Sequence, residues 1–339
     1  MKATLPNMLA RTLRGFLAEY LPGVRGASPH TVRSYRDTLV LVLRFLADRK
    51  GRSVIDLDFE DIDPASMLAF LAHLESKRKN CTSTRNTRLA AIHAFARYVA
   101  SQHPDALEQC QRLLAIPFKR GYQRAVEYLE IEEIQAMLEA TDRCTPNGRR
   151  DHALILLLFN TGARVQELLD IRPRDLQLER PCLVRLLGKG RKERLCPLWP
   201  QTAKILGALL EQTGLDPASS HRLFRNRRGE PLSRFGVAYL LRKYAKLAQT
   251  VVPSLSRKRV HPHALRHSTA VHLLNAGVDL VSISHWLGHA SVETTNRYAA
   301  VDLDAKRKAI ARIGPLGDGD PVPAAWKTNA SVLEWLEAL

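Results

Sequence analysis

The sequence predicts a mainly α protein with one small β-hairpin, arranged as two domains. Three observations predict it. Apolar residues recur at spacings of three and four over most of the chain, which is the helical period. One stretch, residues 182–198, breaks that period with β-compatible residues around a glycine-rich turn. The length of 339 residues suits two domains of roughly 100–200 residues each.

Residues 1–116 read as a helical bundle. Ser28 caps one helix and Pro29 occupies its first turn. Val32, Tyr35, Leu39, Val42, Leu43 and Leu46 then line one face. Asp63-Pro64 opens a second helix through Met67, Phe70, Leu71 and Leu74, closed by the basic run Lys77, Arg78, Lys79. Thr82-Ser83-Thr84 begins a third, with Leu89, Ile92, Phe95 and Val99 on one side. Arg33, Arg36, Arg85 and Arg88 lie between the apolar positions and give the bundle basic edges. Residues 117–126, with Pro117, Lys119, Arg120, Gly121 and Arg124, read as a short basic linker.

The second domain is placed at 127–313. Tyr128-Leu129-Glu130 leads into a helix containing Ile131 and Ile134. An apolar helix over about 151–160 stops at Gly162. Strands at 182–187 and 193–198 flank Gly188-Lys189-Gly190-Arg191-Lys192, which puts Lys189 near a hairpin tip. Helices resume after Pro200. Residues 314–323 are rich in Gly, Pro and Asp and read as a connector. The last segment carries an apolar stripe of Val332, Leu333, Trp335, Leu336 and Leu339.

Composition narrows the partners. Hydrophobic content of 45% and charged content of 25% fit a globular chain with a real core. A formal net charge of +17 favours a polyanion through phosphate neutralisation and counterion release; a solvated basic surface without a partner is the plain alternative. No stretch approaches the ~20 apolar residues of a membrane span, and the longest clean run is residues 153–159. Arg11, Arg14 and Glu19 interrupt any signal-like core near the start. Cys81, Cys110, Cys144, Cys182 and Cys196 are scattered without a CxxC pair. They read as reduced structural thiols of a cytosolic protein.

The chemistry-bearing residues sit in three blocks. Thr161-Gly162-Ala163-Arg164-Val165-Gln166-Glu167 supplies one arginine, and Gly188-Lys189-Gly190 a lysine. His263-Ala264-Leu265-Arg266, Leu287-Gly288-His289 and Tyr298 supply the rest. A tyrosine with a pKa of about 10 is a poor nucleophile until its proton is removed. If it attacks a phosphodiester, fixed cations must hold the phosphate and the added transition-state charge. Arginine suits this because it stays charged and grips two oxygens at once, which makes Arg164 and Arg266 the candidates. A leaving 5′-hydroxyl needs a proton, which Lys189 or His263 can give. His289 can donate to a non-bridging oxygen. His263 and Arg266 are three apart, so a helix puts them on one face.

Each residue has a plainer reading taken singly. Arg164 with Glu167 makes a surface helix pair, and Glu167 itself reads as the partner that orients Arg164. Lys189 is an exposed turn lysine, and its surroundings lack the GxxxxGK[ST] spacing of a phosphate loop. His261 and His263 flank Pro262 with no third ligand nearby, so neither metal nor cofactor is expected. His267, beside Arg266, reads as a packed histidine or one that supports the reactive residues from behind, and Tyr298 as a half-buried core tyrosine. Their order along one chain is what makes the set specific.

In that order the chain resembles the tyrosine recombinase (phage integrase) family, nearest in layout to its Xer-like and transposon-integrase members. The resemblance runs from Ser28-Pro29-His30-Thr31 to Tyr298. The family pattern T-G-x-R-x-x-E-L falls on Thr161 to Leu168, G-K-G-x-K-x-R on Gly188 to Arg194, H-x-x-R-H on His263 to His267, and L-G-H on Leu287 to His289. The family nucleophile follows that histidine by nine residues, on Tyr298.

The resemblance implies a helical core-binding domain plus a catalytic domain, clamped around double-stranded DNA. It implies cleavage through a 3′-phosphotyrosyl link that frees a 5′-hydroxyl, without ATP. It assigns the catalytic set Arg164, Lys189, His263, Arg266, His289 and Tyr298. DNA contact is expected from Arg33, Arg36, Lys77, Arg85, Arg88, Lys119 and Arg120. Four copies would act on two recombination sites in transposon movement, phage integration or dimer resolution. The C-terminal stripe would dock on a neighbouring copy or pack on its own domain. A non-catalytic DNA-binding protein on the same scaffold and a type IB topoisomerase are the alternatives.

Overall fold

A computed structural model describes residues 7–121, 126–188, 190, 192–216, 218–289, 295 and 298. Contacts divide the chain into two compact units, Met1–Gln123 and Arg124–Leu339. Among the described residues no helix is long and apolar enough to cross a membrane.

The first unit is all-helical. It holds α1 (Met8–Arg14), a π-helix over Gly15–Val24, α2 (Pro29–Lys50), α3 (Pro64–Ser76), α4 (Thr82–Gln102) and α5 (Leu107–Leu114). Helix starts follow local chemistry. Ser28 Oγ accepts from the Thr31 amide with Pro29 in the first turn, and Asp63 accepts from the Ser66 amide ahead of α3. The periodic positions then face one core: Leu39, Val42 and Leu46 of α2, Met67, Phe70 and Leu74 of α3, and Leu89, Ile92, Phe95 and Val99 of α4 are all buried. Val32, Tyr35 and Leu43 pack at its margin.

The basic linker differs from expectation over its first residues. Arg85 Nη1 donates to the Pro117 carbonyl at 3.1 Å, and Asn86 Nδ2 to the Lys119 carbonyl at 2.8 Å. The Lys119 amide returns a bond to Asn86 Oδ1 at 3.1 Å, and Phe118 meets His93 edge-on. Backbone carbonyls near α4 need donors, and these two side chains supply them. Residues 117–119 are therefore strapped onto the first unit.

The second unit is mainly α with a three-stranded antiparallel sheet in the order β1-β2-β3. Its elements are α6 (Ile131–Glu139), α7 (Pro146–Thr161), α8 (Val165–Asp170), β1 (Leu176–Gln177), β2 (Leu183–Leu187), β3 (Glu193–Pro197), α9 (Pro200–Thr213), α10 (Arg234–Ala248), α11 (Pro262–Asn275) and α12 (Leu280–Leu287). The short strand β1 was not legible in the sequence; two residues carry no periodicity. In the hairpin Val184 pairs with Cys196 and Leu186 with Arg194. Strand alternation thus turns Val184, Leu186, Arg194 and Cys196 to one face. Val184, Leu186 and Cys196 are fully buried there.

Helix α7 is the central rod. Residues Ala153 to Leu158 are buried on every side, as a helix apolar all round must be. It packs against α9 and α11. Its start is stapled by polar contacts: Tyr244 Oη donates to Asp151 Oδ2 at 2.8 Å, while Arg150 Nη2 holds Asp151 Oδ1 at 2.6 Å. Entry to the unit is tied to α11, because the Leu129 amide donates to Ser268 Oγ at 2.8 Å. Lys258 Nζ reaches both Glu133 Oε2 (2.7 Å) and the Tyr128 carbonyl (3.0 Å). The connector at 314–323 and the apolar stripe from Val332 to Leu339 lie outside the described residues.

Candidate active site

The site grows from the end of α7. Gly162 ends that helix with φ of +58°, a left-handed conformation that glycine adopts without strain. A Cβ there would lie 2.5 Å from Leu287 Cδ2 and 3.3 Å from Thr269 Cβ. Glycine at this position is what lets α11 and α12 close onto the end of α7.

Arg164 follows two residues later, as the N-cap of α8. Glu167 folds back on it: its Oε2 accepts the Arg164 backbone N–H at 3.0 Å, and its Oε1 accepts Arg164 Nη1 at 2.7 Å. Arg164 Nη2 then reaches the Gly288 carbonyl at 3.0 Å. Arg266 arrives from α11. Its Nη1 donates to the Gly162 carbonyl at 2.7 Å and its Nη2 to the Leu287 carbonyl at 2.8 Å. The two guanidiniums therefore meet at consecutive carbonyls of one turn. Each retains further N–H donors.

A third guanidinium completes the frame. Arg194 Nη2 donates to Glu167 Oε2 at 2.7 Å and its Nε to the Trp286 carbonyl at 2.9 Å. Sequence reasoning placed Arg194 only as the last letter of the hairpin pattern. The pairing register is the signal that turns it inward, beside Cys196.

Tyr298 is 1% exposed, packed with Ala270, Val271, Ile283 and Leu287. Its hydroxyl shares a 2.8 Å hydrogen bond with His267 Nδ1. Its ring stacks on His289 with centroids 6.4 Å apart and planes at 16°. His289 Nδ1 shares a 2.8 Å bond with Thr295 Oγ1, and Gly288, with φ of +63°, ends α12 just before it. His263 lies one helical turn before His267, with ring centroids 6.5 Å apart. His267, read from sequence as a packed residue, thus touches the phenol oxygen. Five of the six expected residues are described; Arg164, His263, Arg266, His289 and Tyr298 share this corner. Lys189 lies outside the described residues.

The charges are tuned by their neighbours. Burial would push the Glu167 carboxyl up. The hydrogen bond and charge of Arg194, with the backbone and side chain of Arg164, reverse this and hold it below the ordinary carboxylate value. Burial, then the Arg164 charge, pushes Arg266 down to about 10, so it remains a cation at neutral pH. Burial also lowers His263, and His261, Arg266 and Arg164 add positive repulsion. The positive charge gathered at this corner attracts anions. Among the described residues no group of three or more His, Cys, Asp or Glu side chains is placed to hold a metal ion.

In the first unit Arg33, Arg36, Lys77, Lys119 and Arg120 are exposed. Arg36 pairs with Asp37 and Lys119 with Glu75. Of the residues expected on DNA, Arg85 is buried and Arg88 is half-buried. Arg85 is 7% exposed and holds the 117–119 strap. Arg88 Nη1 donates to Thr38 Oγ1 at 2.9 Å, joining α4 to α2. Each guanidinium holds backbone or hydroxyl oxygen of the first unit through Nη1.

Comparison with known proteins agrees with this architecture. The phage integrase family matches residues 127–304, and the phage integrase N-terminal SAM-like domain matches 14–103. The Sinorhizobium fredii protein named "Putative integrase/recombinase y4rC" is 42% identical over 91% of this chain and 92% of its own. The tyrosine recombinase XerC of Herpetosiphon aurantiacus is 34% identical over 87% of this chain and 92% of its own. In fold, the chain is similar to the XerH site-specific recombinase solved with its difH substrate. Their TM-score is 0.65 at 23% identity, covering 86% of this chain and 82% of that one. The Tn1549 transposon integrase solved with transposon right end DNA gives a TM-score of 0.63 at 16% identity, covering 89% and 99%. The chain belongs to the phage integrase family. It is an enzyme of the tyrosine recombinase class, a site-specific recombinase.

Proposed function

We propose that this recombinase cuts and rejoins double-stranded DNA at a recombination site, with Tyr298 as nucleophile and a 3′-phosphotyrosyl link as intermediate. Arg164 and Arg266 grip the scissile phosphate, and their charge offsets the extra negative charge of the pentavalent transition state. Lys189 and His263 manage the proton of the leaving 5′-oxygen. His289 donates to a non-bridging oxygen and supports the Tyr298 ring. The link keeps the energy of the broken bond, so strand joining needs no cofactor.

The observation that carries this reading is the meeting of Arg164 and Arg266 at the carbonyls of Gly288 and Leu287, beside Tyr298 and His263. Phosphate-tracking residues on the first unit are Arg33, Arg36, Lys77, Lys119 and Arg120. Four copies act on two sites, and the stripe around Val332, Leu333, Trp335 and Leu336 docks on a neighbouring copy. Free thiols at all five cysteines support a cytosolic setting.

A nicked suicide substrate tests the chemistry. The wild type is expected to become covalently attached to the 3′ end, and Tyr298→Phe to bind the same DNA without attachment. Attachment by the phenylalanine variant moves the nucleophile elsewhere. Relaxation of supercoiled plasmid lacking any special site would make the protein a topoisomerase. Removing residues 320–339 tests docking: unchanged assembly on DNA rules it out.

A further inference from the structure

The phenol that attacks must lose a proton, and the roles assigned above name no acceptor for it. Lys189 and His263 are placed on the leaving side, His289 on a non-bridging oxygen, and the arginines on the phosphate. An arginine cannot take a proton at any pH of interest. His267 Nδ1 is in hydrogen-bonding contact with Tyr298 Oη, at 2.8 Å. The ring centroids are 5.6 Å apart with planes tilted at 57°, and a ring nitrogen meets the hydroxyl.

We propose that His267 is a further catalytic residue, the general base that takes the Tyr298 proton as the phenol attacks. The assignment rests on Tyr298 being the nucleophile. In the forward step the Tyr298 O–H bond breaks and its proton passes to Nδ1 of the neutral His267 imidazole. The freed electron pair forms the Oη–P bond. The P–O5′ bond breaks, its pair stays on the 5′-oxygen, and that oxygen takes a proton from the acid on the leaving side. During rejoining the His267 imidazolium returns the proton to the phenolate oxygen. No oxidant or further reactant is required.

The surroundings suit the role. His267 is one residue after Arg266 on α11, so the proton acceptor and a phosphate clamp ride on one rigid element. Among the described residues, the titratable and charged groups near it include His263 on its own helix, Arg266, Tyr298, and His289 stacked on the phenol. These groups are cationic or neutral apart from the phenolate formed in the reaction. A phosphodiester entering the pocket brings the negative charge that stabilises an imidazolium there. Sequence periodicity places His263 and His267 four apart, on one helix face, so the two can handle the two protons of the reaction from one side.

The test uses single-turnover cleavage of suicide DNA by the full-length protein, with His267→Asn and His267→Gln. Either amide can accept the phenol hydrogen bond but cannot take the proton near neutral pH. Covalent attachment is expected to slow by about 100-fold or more, with DNA binding and Tm kept near wild type. The rate should rise with pH in the variants as hydroxide replaces the base. A second substrate with sulfur for the bridging 5′-oxygen separates the two proton transfers, since a thiolate leaves without an acid. His267 variants should stay slow on it, whereas Lys189→Ala should recover. Recovery of the His267 variants on sulfur would overturn the assignment, as would wild-type rates or a defect that is independent of pH. If instead Tyr298→Phe still forms the adduct, the nucleophile itself is wrong, which is a different failure with its own signature.

Discussion

Glu167 and Arg194 stand 27 residues apart, yet Arg194 Nη2 donates to Glu167 Oε2 at 2.7 Å. The other carboxylate oxygen takes Arg164 at 2.7 Å. One buried side chain, 5% exposed, thereby sets the pose of Arg164 and pins the hairpin to α8. Glu167→Gln keeps the shape and removes the charge, leaving two guanidiniums short of their partner. Stability in urea is expected to fall on the order of 3 kcal/mol, with DNA cleavage reduced at least about tenfold. An unchanged unfolding midpoint would remove the bridge from this account.

The same carboxylate makes stability depend on acid. Burial alone would raise its pKa, and Arg194 with Arg164 brings it below the ordinary value instead. A group depressed on folding stabilises fully above its unfolded pKa, about 4.3 for glutamate, and loses that contribution as pH falls through the folded value. The wild type should weaken steeply below about pH 4, and Glu167→Gln less steeply. Parallel curves of unfolding free energy against pH would contradict this.

Arg266 is tested by Arg266→Lys as well as Arg266→Ala. Lysine keeps the charge but cannot span the carbonyls of Gly162 and Leu287 as a planar fork does. Both variants, and Arg164→Ala, should cleave about a hundredfold more slowly or worse in single-turnover assays. A near-normal rate in any of them would break the clamp.

Gly162→Ala forces an L side chain into φ of +58° and drives a Cβ to 2.5 Å from Leu287. Left-handed strain and overpacking together should cost about 2–4 kcal/mol. Because the Gly162 carbonyl and the Leu287 turn both hold Arg266, cleavage should fall with stability. Thermal unfolding beside cleavage kinetics reads both, and a variant as stable as wild type would mean the helices move apart freely.

Basic residues in the first unit should separate into two classes. Arg33→Ala or Lys77→Ala should weaken DNA binding and reduce the slope of log affinity against log salt by about 1. Arg85→Ala should instead lower Tm and leave that slope alone, because its guanidinium faces the Pro117 carbonyl. A slope change in Arg85→Ala would return that residue to the DNA surface.

Much of the molecule is local and could be read along the chain. Ser28-Pro29 and Asp63-Pro64 open their helices through contacts within three residues, and Gly162 stops α7 by its own backbone freedom. Periodicity of 3.6 and of 2 sorted the core faces of α2, α3, α4 and the hairpin, since side-chain direction follows from backbone geometry alone. Arg85 was misplaced because periodicity ranks arginine as surface whatever carbonyls lie opposite. The contact of His267 with Tyr298 spans 31 residues, and nothing local encodes it.

By itself, then, the sequence determined the helices, the hairpin, the order of the reactive residues and the family they belong to. Only the tertiary structure decided which arginines converge at the turn beside Tyr298 and which is buried in the first unit, and which histidine meets the phenol. The reason is physical. Helix starts and faces depend on neighbours a few residues away, whereas an arginine's partner is whichever carbonyl or carboxylate packing delivers from elsewhere in the chain.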